Sequence, residues 1–208
     1  MGGGDSSGLR AYNERLIVAA IRAGGLLSKT DVARATGLSA QAARLIVAAL
    51  IEDGVLRKLA KVRGQIGQPA TPIALNPAGA YAVGVKIGRR SQKVVLVDML
   101  GAVVARRDMA RDAPPPQATL EALCAMVLTI LNDLSAAQRG RVVGLGIAMP
   151  GDLHEWPAEM DVREGALEGW KHLDPAARLA EATELPATLI NDATAACAAE
   201  MIAGDALA

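Results

Sequence analysis

Between Leu9 and Arg22 the apolar residues Leu9, Leu16, Ile17, Ala20 and Ile21 recur at helical spacing until Gly24 and Gly25 interrupt them, which predicts a first helix. Ser28, with Asp31 three residues on, is a capping pair that opens a short second helix ended by Gly37. Ser39 caps a third helix, whose Ala43, Ile46, Val47 and Leu50 make one apolar stripe before Asp53 and Gly54 close it. Val55 to Leu59 then reads as a strand, and Pro72 to Leu75 returns beside it after a loop containing Arg63, Gly64, Gly67 and Pro69. The expected order is three helices followed by a two-stranded wing.

After Asn76 and Pro77 the period changes. Tyr81 to Ile87, Gln92 to Asp98 and Ala102 to Asp108 predict an antiparallel meander turned at Gly88 and Gly101. Pro114, Pro115 and Pro116 break the chain before a long helix from about Thr119 to Ala137, and Val142 to Ala148 is an apolar run of the kind found in strands buried on both faces. A loop through Pro157 and Gly165 leads to a helix at Pro175 to Thr183, a strand at Ala187 to Ile190 and a last helix from Ala193 to Ala203. The order β-β-β-α-β-α-β-α predicts a mixed sheet with helices packed on it. The fold class expected is therefore α+β or α/β, organised as a disordered leader over 1–8, a helical head over 9–76 and a sheet domain over 77–208.

Composition narrows the function. The 208 residues are 51% hydrophobic, ample for a core, yet include no Phe, so aromatic platforms for single-stranded nucleic acid are not expected. Any nucleic acid bound should be duplex. The formal net charge of zero conceals an asymmetry: residues 1–76 carry 10 Lys and Arg against 5 Asp and Glu, and the remainder 12 against 17. A cationic head on an anionic body is expected where one part meets a polyanion, although a chance cluster of solvated charges gives the same count. Cys124 and Cys197, far apart and inside apolar stretches, read as buried thiols in a reducing cytoplasm. No run is long enough to suggest a membrane span and no signal core opens the chain.

In a helix-turn-helix the second helix of the pair enters the major groove, so its outer face must carry side chains that reach bases, while a small residue and a glycine permit the sharp crossing. Ala33 and Gly37 suit those demands. Gln41, Arg44 and Ala48 lie opposite the apolar stripe, and Gln41 and Arg44 can each pair with a base edge through two hydrogen bonds. Ser39 stands at the start of that helix, and Lys29, Arg57, Lys58, Lys61 and Arg63 are placed as phosphate contacts or wing-tip anchors. The competing reading is a helical hairpin that packs on another protein.

Four segments in order carry a resemblance: Gly67-Gln68-Pro69 before Leu75-Asn76-Pro77; Gly84-Val85-Lys86-Ile87-Gly88; Gly144-Leu145-Gly146-Ile147-Ala148-Met149-Pro150-Gly151; and Asn191-Asp192-Ala193 with Ala195, Ala196 and Glu200. Behind a winged helix, the whole chain resembles the ROK family, named for repressors, open reading frames and kinases, and specifically its repressor branch. The resemblance implies an actin-like, ribonuclease-H-like sugar-kinase fold with sugar bound between two lobes, of which this chain holds one. Family members usually continue further, through a Glu-x-Gly-His segment, a Cys-rich zinc motif and a second phosphate loop, so a C-terminally truncated lobe is expected, with no zinc; His154 and His172 lie far from any cysteine pair.

Kinases of the family carry an Asp-x-Gly-Gly-Thr loop after the first strand, where this chain has Lys86-Ile87-Gly88-Arg89-Arg90. A lysine at the acidic position repels a metal ion, and Arg89 and Arg90 put bulk where close backbone approach to phosphate would need glycine. No enzyme activity and no cofactor are therefore expected. By resemblance Asp192 matches the base that deprotonates the sugar hydroxyl in kinases and Asn191 a sugar-binding amide, with Pro150 and Gly151 at the cleft edge. The alternatives are a helix cap at Asn191-Asp192 and an ordinary turn at Pro150-Gly151. The function expected is a DNA-binding repressor of carbohydrate genes whose partners are duplex DNA and a sugar or sugar-phosphate effector, homodimeric because two half-sites supply affinity that one winged helix lacks. A ROK-class sugar kinase, or a remnant that only binds DNA, is the alternative.

Overall fold

The computed structural model describes residues 6–60, 71–88, 91–110, 115–151, 153 and 167–203, which fall into two compact units meeting at Gly79 and Ala80. The first holds α1 (Ser6–Gly24), α2 (Lys29–Thr36), α3 (Ala40–Glu52), β1 (Leu56–Lys58) and β2 (Ile73–Leu75). Helix α1 begins at Ser6, inside the span expected to be a disordered leader. Ile17 and Ile21 of α1, Val32 of α2, and Ala43, Val47 and Leu50 of α3 close on Leu56, Ile73 and Leu75 as a dry core, in which each large side chain contributes about 1.5–3 kcal/mol. Leu9 at the start of the α1 pattern is left exposed.

Each break in this unit has a local cause. Ser28 Oγ accepts the Asp31 N–H at 3.2 Å while Asp31 Oδ2 accepts the Ser28 N–H at 3.2 Å and its hydroxyl at 2.6 Å, a reciprocal capping box. Gly37, left-handed at φ 68°, ends α2 and lets α3 leave at a 115° bend. β1 and β2 pair antiparallel, and Leu27 joins their ribbon through backbone bonds to Ile73 of 3.2 and 2.8 Å. Asn76 fixes the exit, its Nδ2 donating to Gly54 O at 2.7 Å.

The second unit is a five-stranded sheet in the order β5-β4-β3-β6-β7, with β3 (Tyr81–Ile87), β4 (Ser91–Asp98), β5 (Val103–Ala110), β6 (Val142–Met149) and β7 (Ala187–Asn191). β3, β4 and β5 form the expected antiparallel meander, whereas β3, β6 and β7 run parallel. Parallel strands need crossovers, supplied by α4 (Pro116–Asn132) with α5 (Ala136–Arg139), and by α6 (Pro175–Thr183). Leu120, Leu123, Val127, Ile130 and Leu131 of α4 and Leu179 of α6 bury Val83, Val85, Ile87, Val94, Leu96, Leu145 and Ile147. α7 (Asp192–Ala203) follows β7 directly.

Three expectations are corrected. The long helix is two, since Ser135 and Gln138 form a second capping box that starts α5 afresh after Asp133. β6 is not buried on both faces. Between Tyr81↔Val142 and Val83↔Leu145 a single residue of β3, Ala82, is matched by two of β6, Val143 and Gly144, a bulge at Gly144 where a Cβ would stand 2.7 Å from Pro186 O, so Val142, Leu145 and Ile147 turn inward and Val143 is 63% exposed. The last helix, α7, touches β6 and β7 as expected, yet no described residue of β7 or α7 is buried, and Leu189, Ile190, Met201 and Ile202 are exposed. Cys197, expected buried, is exposed, whereas Cys124 is half-buried and its thiol is pushed up by that burial. No single described helix is long and apolar enough to cross a membrane.

Candidate nucleic-acid interface and effector site

Helix α3 starts at Ser39, whose Oγ accepts the Ala42 N–H at 3.2 Å, so this hydroxyl serves the helix first. With Ala43, Val47 and Leu50 inward, Gln41, Arg44 and Ala48 are exposed, as the spacing predicts. Leu45 is exposed with them, at 64%. At 3.6 residues per turn Gln41 and Leu45 project most directly away from the buried stripe, and Arg44 lies on the flank. Leu45 is missing from the residues the sequence singles out, although the same helical spacing places it there. Apolar side chains are read as core by default, and that default hides it.

The cations around α3 divide by element. Lys29 is the first residue of α2 and exposed. Arg57 and Lys58 are exposed on β1, where successive side chains leave opposite faces of the ribbon. Lys61 and Arg63 lie outside the described residues. Arg34, in the last turn of α2, is held by Asp31 Oδ1 at 3.3 Å.

In the second unit the parallel strands β3, β6 and β7 all end at one edge of the sheet, the edge at which open α/β sheets take ligands. Register pairs Lys86 with Ala148, Ala148 with Ile190, and Met149 with Asn191. Pro150 and Gly151 therefore leave β6 beside the end of β7, and a Cβ on Gly151 would stand 3.6 Å from Asn191 Nδ2. Asn191 Oδ1 accepts the N–H groups of Ala193 at 2.9 Å and Thr194 at 3.3 Å, so its amide oxygen caps α7 while the nitrogen lies on the Gly151 side. Asp192 opens α7 and is half-buried. The candidate sugar residues Pro150, Gly151, Asn191 and Asp192 are thus brought together.

Across the same edge, Lys86 is exposed, and its antiparallel partner is a second lysine, Lys93. Fully buried Gln92 ties this hairpin down, with Nε2 donating to Gly88 O at 3.1 Å and Oε1 unpartnered among the described residues. Arg89 and Arg90 lie outside the described residues. His172 is exposed, His154 is not described, and among the described residues no group of His, Cys, Asp or Glu is placed to hold a metal ion.

Comparison with known proteins gives two family matches: residues 10–57 match a winged helix-turn-helix DNA-binding model, and residues 82–207 match the ROK family model. An uncharacterised protein of Sinorhizobium fredii is 30% identical over 151 residues, covering 68% of this chain and 36% of that protein. A transcriptional regulator of Mycobacterium tuberculosis is 27% identical over 143 residues, covering 69% of this chain and 31% of its own length. Among solved structures, a ROK family transcriptional regulator described as a homologue of the E. coli MLC protein superposes with a TM-score of 0.64 at 22% identity, over 94% of this chain and 49% of that one, a likeness of fold. The chain thus spans about a third of the length of those curated relatives and about half of that solved chain. With the ROK model matching more than half of its length, directly behind a winged helix-turn-helix, the chain belongs to the ROK family.

Proposed function

We propose that this chain is a sequence-specific DNA-binding repressor of carbohydrate-metabolism genes that acts as a cytoplasmic homodimer. The observation that carries the reading is the outward face of α3, where Gln41, Arg44 and Leu45 are exposed on a helix seated by its own buried stripe, in a unit whose Lys29, Arg57 and Lys58 are exposed as well. One such head offers few base contacts, and pairing two heads on half-sites a helical turn apart supplies the missing affinity. The contacts expected at base edges are Gln41 and Arg44, and those at phosphates Ser39, Lys29, Arg57, Lys58, Lys61 and Arg63.

The effector in this reading is a sugar or sugar-phosphate at the edge formed by Pro150, Gly151, Asn191 and Asp192, where a carboxylate and an amide offer the directional acceptors and donors that a polyol requires. The unit binds without phosphorylating. Lys86, with Lys93 opposite, puts positive charge where a kinase needs a carboxylate for metal-bound ATP.

A gel-shift titration tests both halves, using duplexes from the region upstream of the gene against random duplex, with and without hexoses, amino sugars and their 6-phosphates. Preference for one upstream duplex, steeply weakened by salt and shifted by one sugar, is the expected result. Equal binding to all duplexes overturns the repressor reading. ATP turnover with any of the sugars overturns the non-enzymatic one.

A further inference from the structure

We propose that Leu45 reads thymine: its methyl groups pack against the C5 methyl of a thymine in the major groove, one turn along α3 from a hydrogen bond between Gln41 and an adenine. The inference rests on the DNA-binding reading above and gives that site its base preference. A large apolar side chain 64% exposed is by itself unremarkable on a protein surface. Its neighbours set Leu45 apart. It sits on the outward face of α3 between Gln41 and the exposed Ala48, opposite the buried Ala43, Val47 and Leu50.

Chemistry selects the partner. A helix face that meets only the phosphate backbone is built from cations and hydroxyls, whereas this one centres on an amide, a leucine and an alanine. In the major groove the apolar feature that distinguishes one base pair from the rest is the thymine methyl, and the adenine edge of an A·T pair offers N6 and N7 to a Gln amide in two hydrogen bonds. Gln41 and Leu45 lie four residues apart, about 6 Å along the axis, against about 3.4 Å for each base-pair step, so the two side chains address pairs one or two steps apart. Both therefore point to A·T. Arg44 on the flank takes a guanine or a phosphate.

The test uses the full chain. A preferred duplex is first selected from a random-sequence pool, and each of its thymines is then replaced singly by deoxyuridine, which removes one methyl and leaves every hydrogen-bonding group. Wild type should lose about fourfold in affinity at one thymine per half-site, the scale for burying one methyl-sized carbon. Leu45→Ser should bind thymine and uracil duplexes equally at that position, and Leu45→Met should keep the discrimination. Because Leu45 is exposed, both variants should melt with wild type, which separates a lost contact from lost folding. The proposal is overturned if no thymine shows a methyl effect, or if the effect persists in Leu45→Ser. Failure to enrich any sequence would instead overturn the DNA-binding reading, and this inference with it.

Discussion

Lys86 and Lys93 stand directly opposite one another in the antiparallel ladder of β3 and β4, so their side chains leave the same face of the sheet. On its other side Lys93 is opposed to Asp108, which Arg106 holds through contacts of 2.6 and 3.0 Å. The Arg106 hydrogen bond, with lesser help from the charges of Arg106 and Lys93, keeps the Asp108 carboxyl below its ordinary range. Asp108 thus meets Lys93 as well as Arg106, whereas Lys86 faces Lys93 as an opposed like charge. Lys86→Glu turns repulsion into attraction and should stabilise the sheet unit by about 0.5 kcal/mol, or about 1–2 °C in melting temperature. A lower midpoint by scanning calorimetry would mean that the pair is not repulsive.

The head depends on its caps. Ser28→Ala removes one side of the capping box and should cost about 1 kcal/mol, read as a lower urea midpoint. The Asp31 carboxyl is held below its ordinary value of 3.8, first by the Ser28 hydroxyl, then by the Ser28 N–H, with Arg34 adding to both. A carboxyl whose value is lower in the folded than in the unfolded state stabilises fully above the unfolded value, and that contribution fades as pH falls through the folded one. Asp31→Asn should therefore melt below wild type at neutral pH and converge with it as pH falls through the lowered folded value. Equal melting at neutral pH would remove the charge from the argument.

Base and backbone contacts should separate in binding data. Arg44→Ala is expected to weaken specific binding by about 1–3 kcal/mol while changing stability by less than about 0.5 kcal/mol. Lys58→Ala should weaken binding to all duplexes alike and reduce the slope of log affinity against log salt by about one unit. The reverse pattern would exchange the two roles.

At the sheet edge, Asn191→Ala removes the cap of α7 as well as an amide from the candidate sugar site, whereas Asn191→Asp keeps an acceptor for the N–H groups of Ala193 and Thr194. Helical signal in far-ultraviolet circular dichroism should fall for the alanine variant and persist for the aspartate one. Sugar-dependent release of DNA should be lost in both. Release surviving in Asn191→Asp would confine this residue to capping.

Capping pairs, turn glycines and strand alternation were legible because each is an interaction among residues a few positions apart. The box at Ser28–Asp31, the cap at Ser39, the αL turn at Gly37 and the bounds of β3 and α6 follow from that local chemistry. The exposed Gln41 and Arg44 follow from the period of α3. Leu45 obeyed the same period but was obscured by its own hydrophobicity. β6 was misjudged because the Gly144 bulge is set by the register with β3, some sixty residues earlier in the chain.

The amino-acid sequence alone thus determined most of the elements, their order, the outward Gln41 and Arg44 of the third helix and the family. Tertiary structure decided which strand faces are covered, where the chain of β6 gains a residue, and that Pro150, Gly151, Asn191 and Asp192 meet at one edge. The division has a physical cause. Caps and turns are satisfied by neighbours within one helical turn, whereas burial and convergence depend on what distant segments bring to the same place, and that is fixed only when the sheet closes its register.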